Sequence, residues 1–120
     1  MELETYSPDN LIAGSFPVVD GDGTILTGQT LVRGTVLAED SGNADKLVVV
    51  DTANALASIK VPVCVLAEDV DASAGDVLAP VYLAGEFNED ALVFGGTDTA
   101  DTHRAALRDL SIFLKKPVSA

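Results

Sequence analysis

The sequence predicts a mainly β domain that carries one C-terminal α-helix and begins with an irregular N-terminal arm. Two observations predict this fold class, and a third indicates a single domain. Short runs of aliphatic and β-branched residues recur between clusters of Gly, Asp, Asn and Ser, as in strands joined by turns. Only one segment, near the C-terminus, shows a helical period of apolar residues. The length of 120 residues and the mass of 12.4 kDa fit a single domain.

Residues 1–17 are predicted to form an arm, and residues 18–120 a single globular domain. The arm contains a turn signal at residues 7–10 but no sustained apolar period. Its apolar anchors are isolated: Leu11, Ile12 and Phe16. An ordinary frayed terminus is the alternative interpretation at this point.

The body of the domain is predicted to consist of short strands. Residues 20–23, Asp-Gly-Asp-Gly, predict a tight hairpin turn because glycine beside aspartate supplies the φ > 0 positions that such turns need. Pro62 is expected at a strand start, an edge or a bulge because proline donates no backbone hydrogen bond. The remaining segments of strand composition are residues 31–38, 46–51, 59–67, 77–87 and 92–94.

The helix is predicted to run from Asp98 or Thr99 to Leu114. Acidic and threonine side chains crowd its first turn, Lys115 and Lys116 follow its last turn, and this polarity complements the helix dipole. Its apolar stripe is expected to comprise Leu107, Leu110 and Leu114, with Ala106 and Phe113 beside it.

The charge of the chain argues against two classes of partner. Seven Lys and Arg stand against nineteen Asp and Glu, which gives a net charge of −12. Such an excess repels the phosphates of nucleic acids and anionic membrane surfaces. Residues 1–100 hold three cations and seventeen acids, or −14, whereas residues 101–120 carry +2. We therefore expect no nucleic-acid partner and no membrane partner, and the N-terminus lacks the pattern of a secretory signal.

The acidic residues form no strong motif for metal binding or catalysis. Residues 20–24 resemble the start of an EF-hand loop, but position 6 of that loop would be Ile25 and position 12 would be Leu31. A solvated acidic rim is the expected role of the other clustered carboxylates, with a cation site or an acid–base centre as the alternatives. These carboxylates are Glu39, Asp40, Glu68, Asp69, Asp71 and Asp76.

The single histidine, His103, and the single cysteine, Cys64, do not indicate an active site. Zinc would need more nitrogen or sulfur ligands than the chain offers. Cys64 lies within an apolar run, where we expect a small buried hydrophobic residue rather than a nucleophile paired with His103. We therefore expect no cofactor, no metal site and no enzymatic activity.

Arg104 and Arg108 lie four residues apart, on one face of the predicted helix, and need acidic partners. Two sources of these partners remain open. One is a carboxylate of the same chain, such as Asp101, and the other is an intersubunit contact.

Several motifs along the chain form a recognisable set. They are Asp9-Asn10-Leu11-Ile12-Ala13-Gly14 with Phe16-Pro17, Arg33-Gly34-Thr35-Val36-Leu37, the stretch from Gly85 through Leu92 to Gly96, and Ile112-Phe113-Leu114-Lys115. The set resembles the head decoration proteins of tailed phages, the lambda-type capsid-stabilising family. The resemblance covers nearly the whole chain and is most specific from Glu86 to Gly96.

This resemblance implies a β-clip-like fold and a structural role without a reaction. It implies a homotrimer on the outer surface of the expanded capsid, at three-fold and quasi-three-fold positions, that stabilises the shell against internal DNA pressure. Its partners would be its own copies and the major capsid protein. The arm would meet the capsid protein by adding a strand to one of its sheets, with Leu11, Ile12 and Phe16 as apolar anchors.

The resemblance also implies where the protein resides, which is the host cytoplasm before assembly and the virion afterwards. Two alternatives from other functional classes are kept beside it. One is a small enzyme that uses clustered carboxylates, and the other is a ligand-binding β-domain.

Overall fold

The structure is a computed structural model and describes residues 11–116. Within this range it is mainly β with one C-terminal α-helix, which confirms the predicted fold class. No helix in the described range is long and apolar enough to cross a membrane. The elements are β1 Val19–Ile25, β2 Thr30–Leu31, β3 Val36–Asp40, β4 Lys46–Val49, β5 Pro62–Leu66, β6 Val70–Asp71, β7 Val77–Asn88, α1 Ala100–Asp109 and β8 Ile112–Lys115.

Five of the strands close into a small barrel. The hydrogen-bonded order is β1-β4-β3-β5-β7-β8, and β1 also pairs with β7, which closes the ring. The pairing of β1 with β7 is antiparallel and runs from Val19 opposite Ala84 to Ile25 opposite Val77. β8 lies outside the ring and pairs in parallel with the C-terminal end of β7. β2 and β6 form a separate two-stranded ribbon.

Alternating side chains divide the apolar residues into two cores. Along β3, Leu37 faces the inside of the barrel, whereas Val36 and Ala38 face the opposite side, as the two-residue period of a strand requires. The barrel core consists of Ile25, Leu37, Leu47, Cys64, Leu66, Val70, Ala72, Ala79 and Val81. The outer core consists of Leu11, Val36, Ala38, Val50, Val65, Phe87, Leu92, Leu107 and Ile112. Full burial of one large apolar side chain contributes about 1.5–3 kcal/mol, so both cores stabilise the domain.

The predicted hairpin turn at residues 20–23 is wrong, because these residues lie within β1. The φ angles of Gly21 and Gly23 do not fall in the left-handed region. Both glycines instead leave room for neighbouring side chains. A Cβ on Gly21 would lie 2.8 Å from Cδ1 of Leu83, and a Cβ on Gly23 would collide with Leu47. The Asp-Gly pattern here marks a close approach inside a strand.

Most predicted strand segments are present, with shifted ends. Residues 77–87 form most of β7. Residues 31–38 are divided by a turn at Gly34, where φ is 96° and a Cβ would lie 2.6 Å from the carbonyl oxygen of Ala91. Residues 92–94 contribute only a single β-bridge. Close packing of loops therefore interrupts segments whose composition alone favours strands.

Pro62 occupies the position that its missing N–H requires. It is the first residue of β5, and the register between β3 and β5 shifts where Ala38 lies opposite it. The expected strand start and bulge are thus confirmed. Proline is tolerated there because the ladder needs no hydrogen bond from its nitrogen.

The helix begins as predicted but ends earlier. Ala100 is its first residue and follows the N-cap residue Thr99. The predicted end at Leu114 is wrong, because the chain leaves the helix after Asp109 and continues as β8. Ser111, whose φ is 66°, lies in the turn between them. Residues 112–114, which helical periodicity assigns to the helix, therefore form a strand that pairs with β7.

The buried face of α1 also differs from the predicted stripe. Leu107 is buried as predicted, but Leu110 is 40% exposed. His103 takes the other buried position, because it lies four residues before Leu107 on the same helix face. Leu114 packs against the outer core from β8 rather than from the helix.

Candidate functional site

The described part of the predicted arm begins as a short extension of the chain's own sheet. The N–H of Asn88 donates to the carbonyl of Leu11 at 2.8 Å, and the N–H of Ala13 donates to the carbonyl of Glu86 at 3.0 Å. Ile12 lies opposite Phe87 in an antiparallel bridge. The C-terminal end of β7 is therefore paired with β8 and also with residues 11–13. Residues 1–10 of the predicted arm lie outside the described part of the chain.

The three predicted arm anchors have different surroundings. Leu11 is 2% exposed and belongs to the outer core, so it fixes the segment to the domain. Ile12 and Phe16 are 40% and 37% exposed. Their apolar surface is available to a partner, while contact of all three residues with a capsid stays a prediction.

Glu86 of β7 holds the segment where it turns toward β1. Its Oε1 accepts a hydrogen bond from the N–H of Phe16 at 3.0 Å, and its Oε2 lies 3.6 Å from Nζ of Lys115. The Phe16 hydrogen bond and the Lys115 charge hold the pKa of the Glu86 carboxyl below its usual range. The ring of Phe16 also packs edge-on against Phe113 of β8, with centroids 5.0 Å apart.

An exposed apolar patch lies where this segment enters β1. We call it the arm-root patch, and it consists of Phe16, Val18, Val19 and Leu83. Val19 pairs opposite Ala84, next to Leu83, and Cγ2 of Val18 lies close to Gly85. The four side chains are 37–49% exposed. Exposed apolar side chains grouped in one region mark an interaction site more often than single exposed residues do.

Arg104 and Arg108 have different environments on α1. The Arg104 guanidinium donates to Glu89 at 2.9 Å and to Asp101 at 2.7 Å, and these carboxylates raise its pKa. Arg108 is exposed and makes no ion pair or side-chain hydrogen bond within residues 11–116. Of the two alternatives, a carboxylate of the same chain is therefore the partner of Arg104. The intersubunit contact stays a prediction, and the free side chain for it is that of Arg108.

A buried polar network joins the start of α1 to the loop after β4. Nε2 of His103 lies 2.9 Å from Oδ2 of Asp98, and both side chains are almost completely buried. The backbone N–H and the hydroxyl of Thr52 also donate to Asp98. Burial opposes ionisation of Asp98, but the hydrogen bonds from Thr52 and His103 outweigh it, so the pKa lies below its usual range. Phe94 stacks on the His103 ring.

Most of the clustered carboxylates accept hydrogen bonds from backbone N–H groups in turns and loops. Asp40 accepts from the N–H of Gly42, Asp69 from that of Arg33, and Asp71 from that of Ser73. Asp76 accepts from the N–H of Thr27 and pairs with Lys46. Among the residues that the structure describes, no three His, Cys, Asp or Glu side chains are grouped to hold a metal ion. These carboxylates therefore do not converge on one centre.

The end of the barrel where β3 and β4 meet forms a cavity of about 480 Å³, which we call the barrel mouth. Its rim carries Asp22, Glu39 and Asp45, and its floor is formed by Leu47, Val63, Cys64, Val81 and Leu83. Cys64 is buried, and burial together with the Glu39 charge raises its pKa to about 12. The thiol is therefore protonated at neutral pH, as suits the predicted small hydrophobic role.

Sequence patterns did not reveal Glu86 or the barrel mouth as sites. Glu86 is the only charged residue between Val77 and Phe87, and a lone acid in an apolar strand is the available signal. For the barrel mouth, the available signal is an acidic residue on the same strand face as a core residue, since Glu39 lies two residues after Leu37. Both sites join segments that are far apart in the sequence.

One comparison with known proteins identifies the chain's relatives. A family model described as bacteriophage lambda head decoration protein D matches residues 5–113. A search of curated proteins finds no match. The matched range includes the segment on β7, the arm-root patch, the barrel and α1, and the match confirms the resemblance of the motifs. The chain belongs to the bacteriophage lambda head decoration protein D family, structural proteins of the phage capsid.

Proposed function

We propose that this protein is a homotrimer that binds the outer surface of the expanded phage capsid at three-fold and quasi-three-fold sites. There it stabilises the shell against the pressure of the packaged DNA by bridging neighbouring capsid subunits. The family match over residues 5–113 is the observation that carries this proposal. The geometry of residues 11–19 supports it.

Capsid contact is assigned to residues 1–17, with Ile12 and Phe16 as its exposed apolar residues. Ala13 and Leu11 provide the hydrogen bonds to β7, so the N–H and carbonyl of Ile12 point away from that strand. An outward-pointing donor and acceptor suit β-augmentation, in which backbone hydrogen bonds supply affinity and side chains supply fit. Leu11, the first described residue, is fixed in the outer core.

Trimer formation is assigned in part to the exposed face of α1, where Arg108 is free to meet a carboxylate of a neighbouring copy. A domain of this size with a single cysteine has no internal disulfide, so burial between copies would add stability. The net charge of −12 would keep the unassembled protein soluble in the host cytoplasm.

Mixing the purified protein with expanded, undecorated capsids tests the proposal. Cryo-electron microscopy of the mixture should show three copies around each three-fold and quasi-three-fold position. Decorated shells should then withstand heat, chelator and low-salt shock better than bare shells. Absence of binding, or equal resistance of bare and decorated shells, would reject the capsid-stabilising role.

The enzyme alternative gains no support from the carboxylates that it would need. Asp69 and Asp71 accept hydrogen bonds in separate turns, and Asp76 is paired with Lys46. A centre for acid–base catalysis needs two such groups at one place with different environments. The structural role therefore stays the single proposed function.

A further inference from the structure

The barrel mouth exists because β1 places glycines at two consecutive inward positions. Gly21 and Gly23 have no side chains to fill this end of the barrel, and Leu83 and Leu47 lean toward them. Farther inside, the next inward residue of β1, Ile25, is completely buried. The result is a cavity of about 480 Å³ with an apolar floor and a charged rim, open at one end. This volume is within the usual range of binding pockets.

The rim of the barrel mouth carries negative charge that the described chain does not neutralise. Asp22, Glu39 and Asp45 make no ion pair and no side-chain hydrogen bond within residues 11–116. Lys46 also lines the mouth, but its Nζ is paired with Asp76 at 2.6 Å. Elsewhere on the surface, acids such as Glu86 and Glu89 have cationic partners. The barrel mouth therefore combines an apolar floor with acidic groups that have no partner among the described residues.

Such a cavity suits one kind of side chain in particular. Lysine and arginine combine an apolar stem with a charged end, so the stem can lie on apolar surface while the charge remains at the rim. In the barrel mouth, Val63 and Leu83 would contact the stem, and Glu39 would face the charge. Glu39 is suited to this because it follows Leu37 on the inward face of β3.

The position of the barrel mouth indicates which protein would supply this side chain. Leu83 belongs both to the floor of the mouth and to the arm-root patch. Val19 pairs opposite Ala84, the residue after Leu83, so the mouth opens beside the point where the segment assigned to capsid contact enters β1. Arg108, assigned to contacts between copies, lies on α1, which packs over the outer core rather than the barrel core.

We propose that the barrel mouth is a second docking site for the major capsid protein and receives a lysine or arginine side chain of that protein. This inference rests on the proposed function. The barrel mouth would add a charge-dependent contact to the apolar and backbone contacts of residues 1–17. Charges at the rim of an interface chiefly raise the association rate and make binding sensitive to salt.

Charge reversal at Glu39 tests the inference. Glu39→Lys should weaken binding to undecorated expanded capsids about tenfold or more, because it places like charges together. Glu39→Gln should have a smaller effect and should make binding less sensitive to added salt. Glu68→Lys is the matched control, since Glu68 is exposed and lies outside the barrel mouth, and its affinity should remain within about twofold of wild type.

Native mass spectrometry and thermal melting of the same variants separate the possible outcomes. The mass of the unbound assembly and the melting temperature should not change. If Glu39→Lys unfolds, Asp45→Lys provides the same reversal at an exposed position in the turn between β3 and β4. The inference would be overturned if the folded charge-reversal variant bound capsids with wild-type affinity. It would also be overturned if the variant lost its unbound assembly, because the barrel mouth would then contact a second copy of the chain. If the wild-type protein does not bind capsids, the proposed function itself fails.

Discussion

The backbone N–H of Phe16 donates a hydrogen bond to Oε1 of Glu86 at 3.0 Å, across 70 residues of sequence. This bond joins the N-terminal segment to β7 at the point where β8 pairs on the other side of the strand. Lys115 of β8 approaches the same carboxylate. Glu86 thus fixes the start of the segment that we assign to capsid contact, so the exposed ring of Phe16 has a defined position before any partner binds.

Removal of the Glu86 carboxylate should loosen this segment without unfolding the barrel. Glu86→Ala should increase hydrogen exchange at the Phe16 amide by at least about tenfold, because the amide loses its acceptor. Hydrogen exchange measured by mass spectrometry or NMR checks this. Glu86→Gln keeps an acceptor and should preserve most of the protection. Equal protection of Phe16 in wild type and Glu86→Ala would contradict the role of this bond.

Truncation of Leu11 should destabilise the whole domain, because this residue belongs to the outer core rather than to a separate arm. Leu11→Ala should lower the free energy of unfolding by about 2–5 kcal/mol, the usual effect of a large-to-small change in a core. Urea denaturation measures it. Ile12→Ala is the matched control, since Ile12 is 40% exposed and should change stability far less. Equal effects of the two substitutions would show that Leu11 is not a core residue.

The buried Asp98 should make stability depend on pH in the acidic range. Its pKa in the folded protein lies below its usual value, so the unfolded chain binds the proton first. This contribution to stability is complete above the unfolded pKa of about 3.9 and is lost as the pH falls through the folded pKa.

Comparison of wild type with Asp98→Asn isolates that contribution. At pH 7 the variant should be less stable by about 1–3 kcal/mol, because hydrogen bonds from Thr52 and His103 to a buried carboxylate are weakened. The difference should shrink as the pH is lowered below about 4. Urea unfolding at a series of pH values provides both numbers. A difference that stays constant down to pH 2.5 would contradict the lowered pKa of Asp98.

Reversal of the charge at Arg108 should weaken contacts between copies and leave the monomer fold intact. Arg108→Glu should raise the concentration at which the proposed trimer dissociates about tenfold, as expected when one charge of an interface pair is reversed. Sedimentation analysis checks this. Lys60→Glu is the matched control, because Lys60 is also exposed and cationic but lies on a different element. Arg104 is unsuitable for the test, since it has partners in its own chain. A trimer indifferent to Arg108→Glu would reject the contact.

The sequence predicts an element correctly where its local pattern has a single physical explanation. Residues 77–87 form a strand, and Pro62 lies at a strand start, because a long β-rich run and a missing N–H each permit few alternatives. Gly21 and Gly23 were ambiguous, since glycine serves both turns and close approaches. The predicted end of the helix is wrong because Leu107, Leu110 and Leu114 satisfy a helical period. In the structure Leu114 instead lies in β8, which pairs with β7.

The candidate site was only partly accessible from the sequence. Ile12 and Phe16 could be identified as apolar residues outside any period, and both are exposed. Glu86 could not be connected with Phe16, because their hydrogen bond depends on how distant segments meet. The barrel mouth likewise depends on closure of β1 against β7, which no local pattern in the sequence encodes.

Binding of a truncated chain to undecorated expanded capsids tests the central claim most directly. A protein lacking residues 1–10 retains Leu11 and should fold and keep its trimer mass. Bound copies per three-fold site, counted by cryo-electron microscopy, should approach three for the full chain. They should be clearly fewer for the truncated one, which keeps only Ile12, Phe16 and the barrel mouth as capsid contacts. Equal occupancy by both proteins would contradict capsid binding through the N-terminal arm, and no occupancy by the full chain would contradict decoration itself.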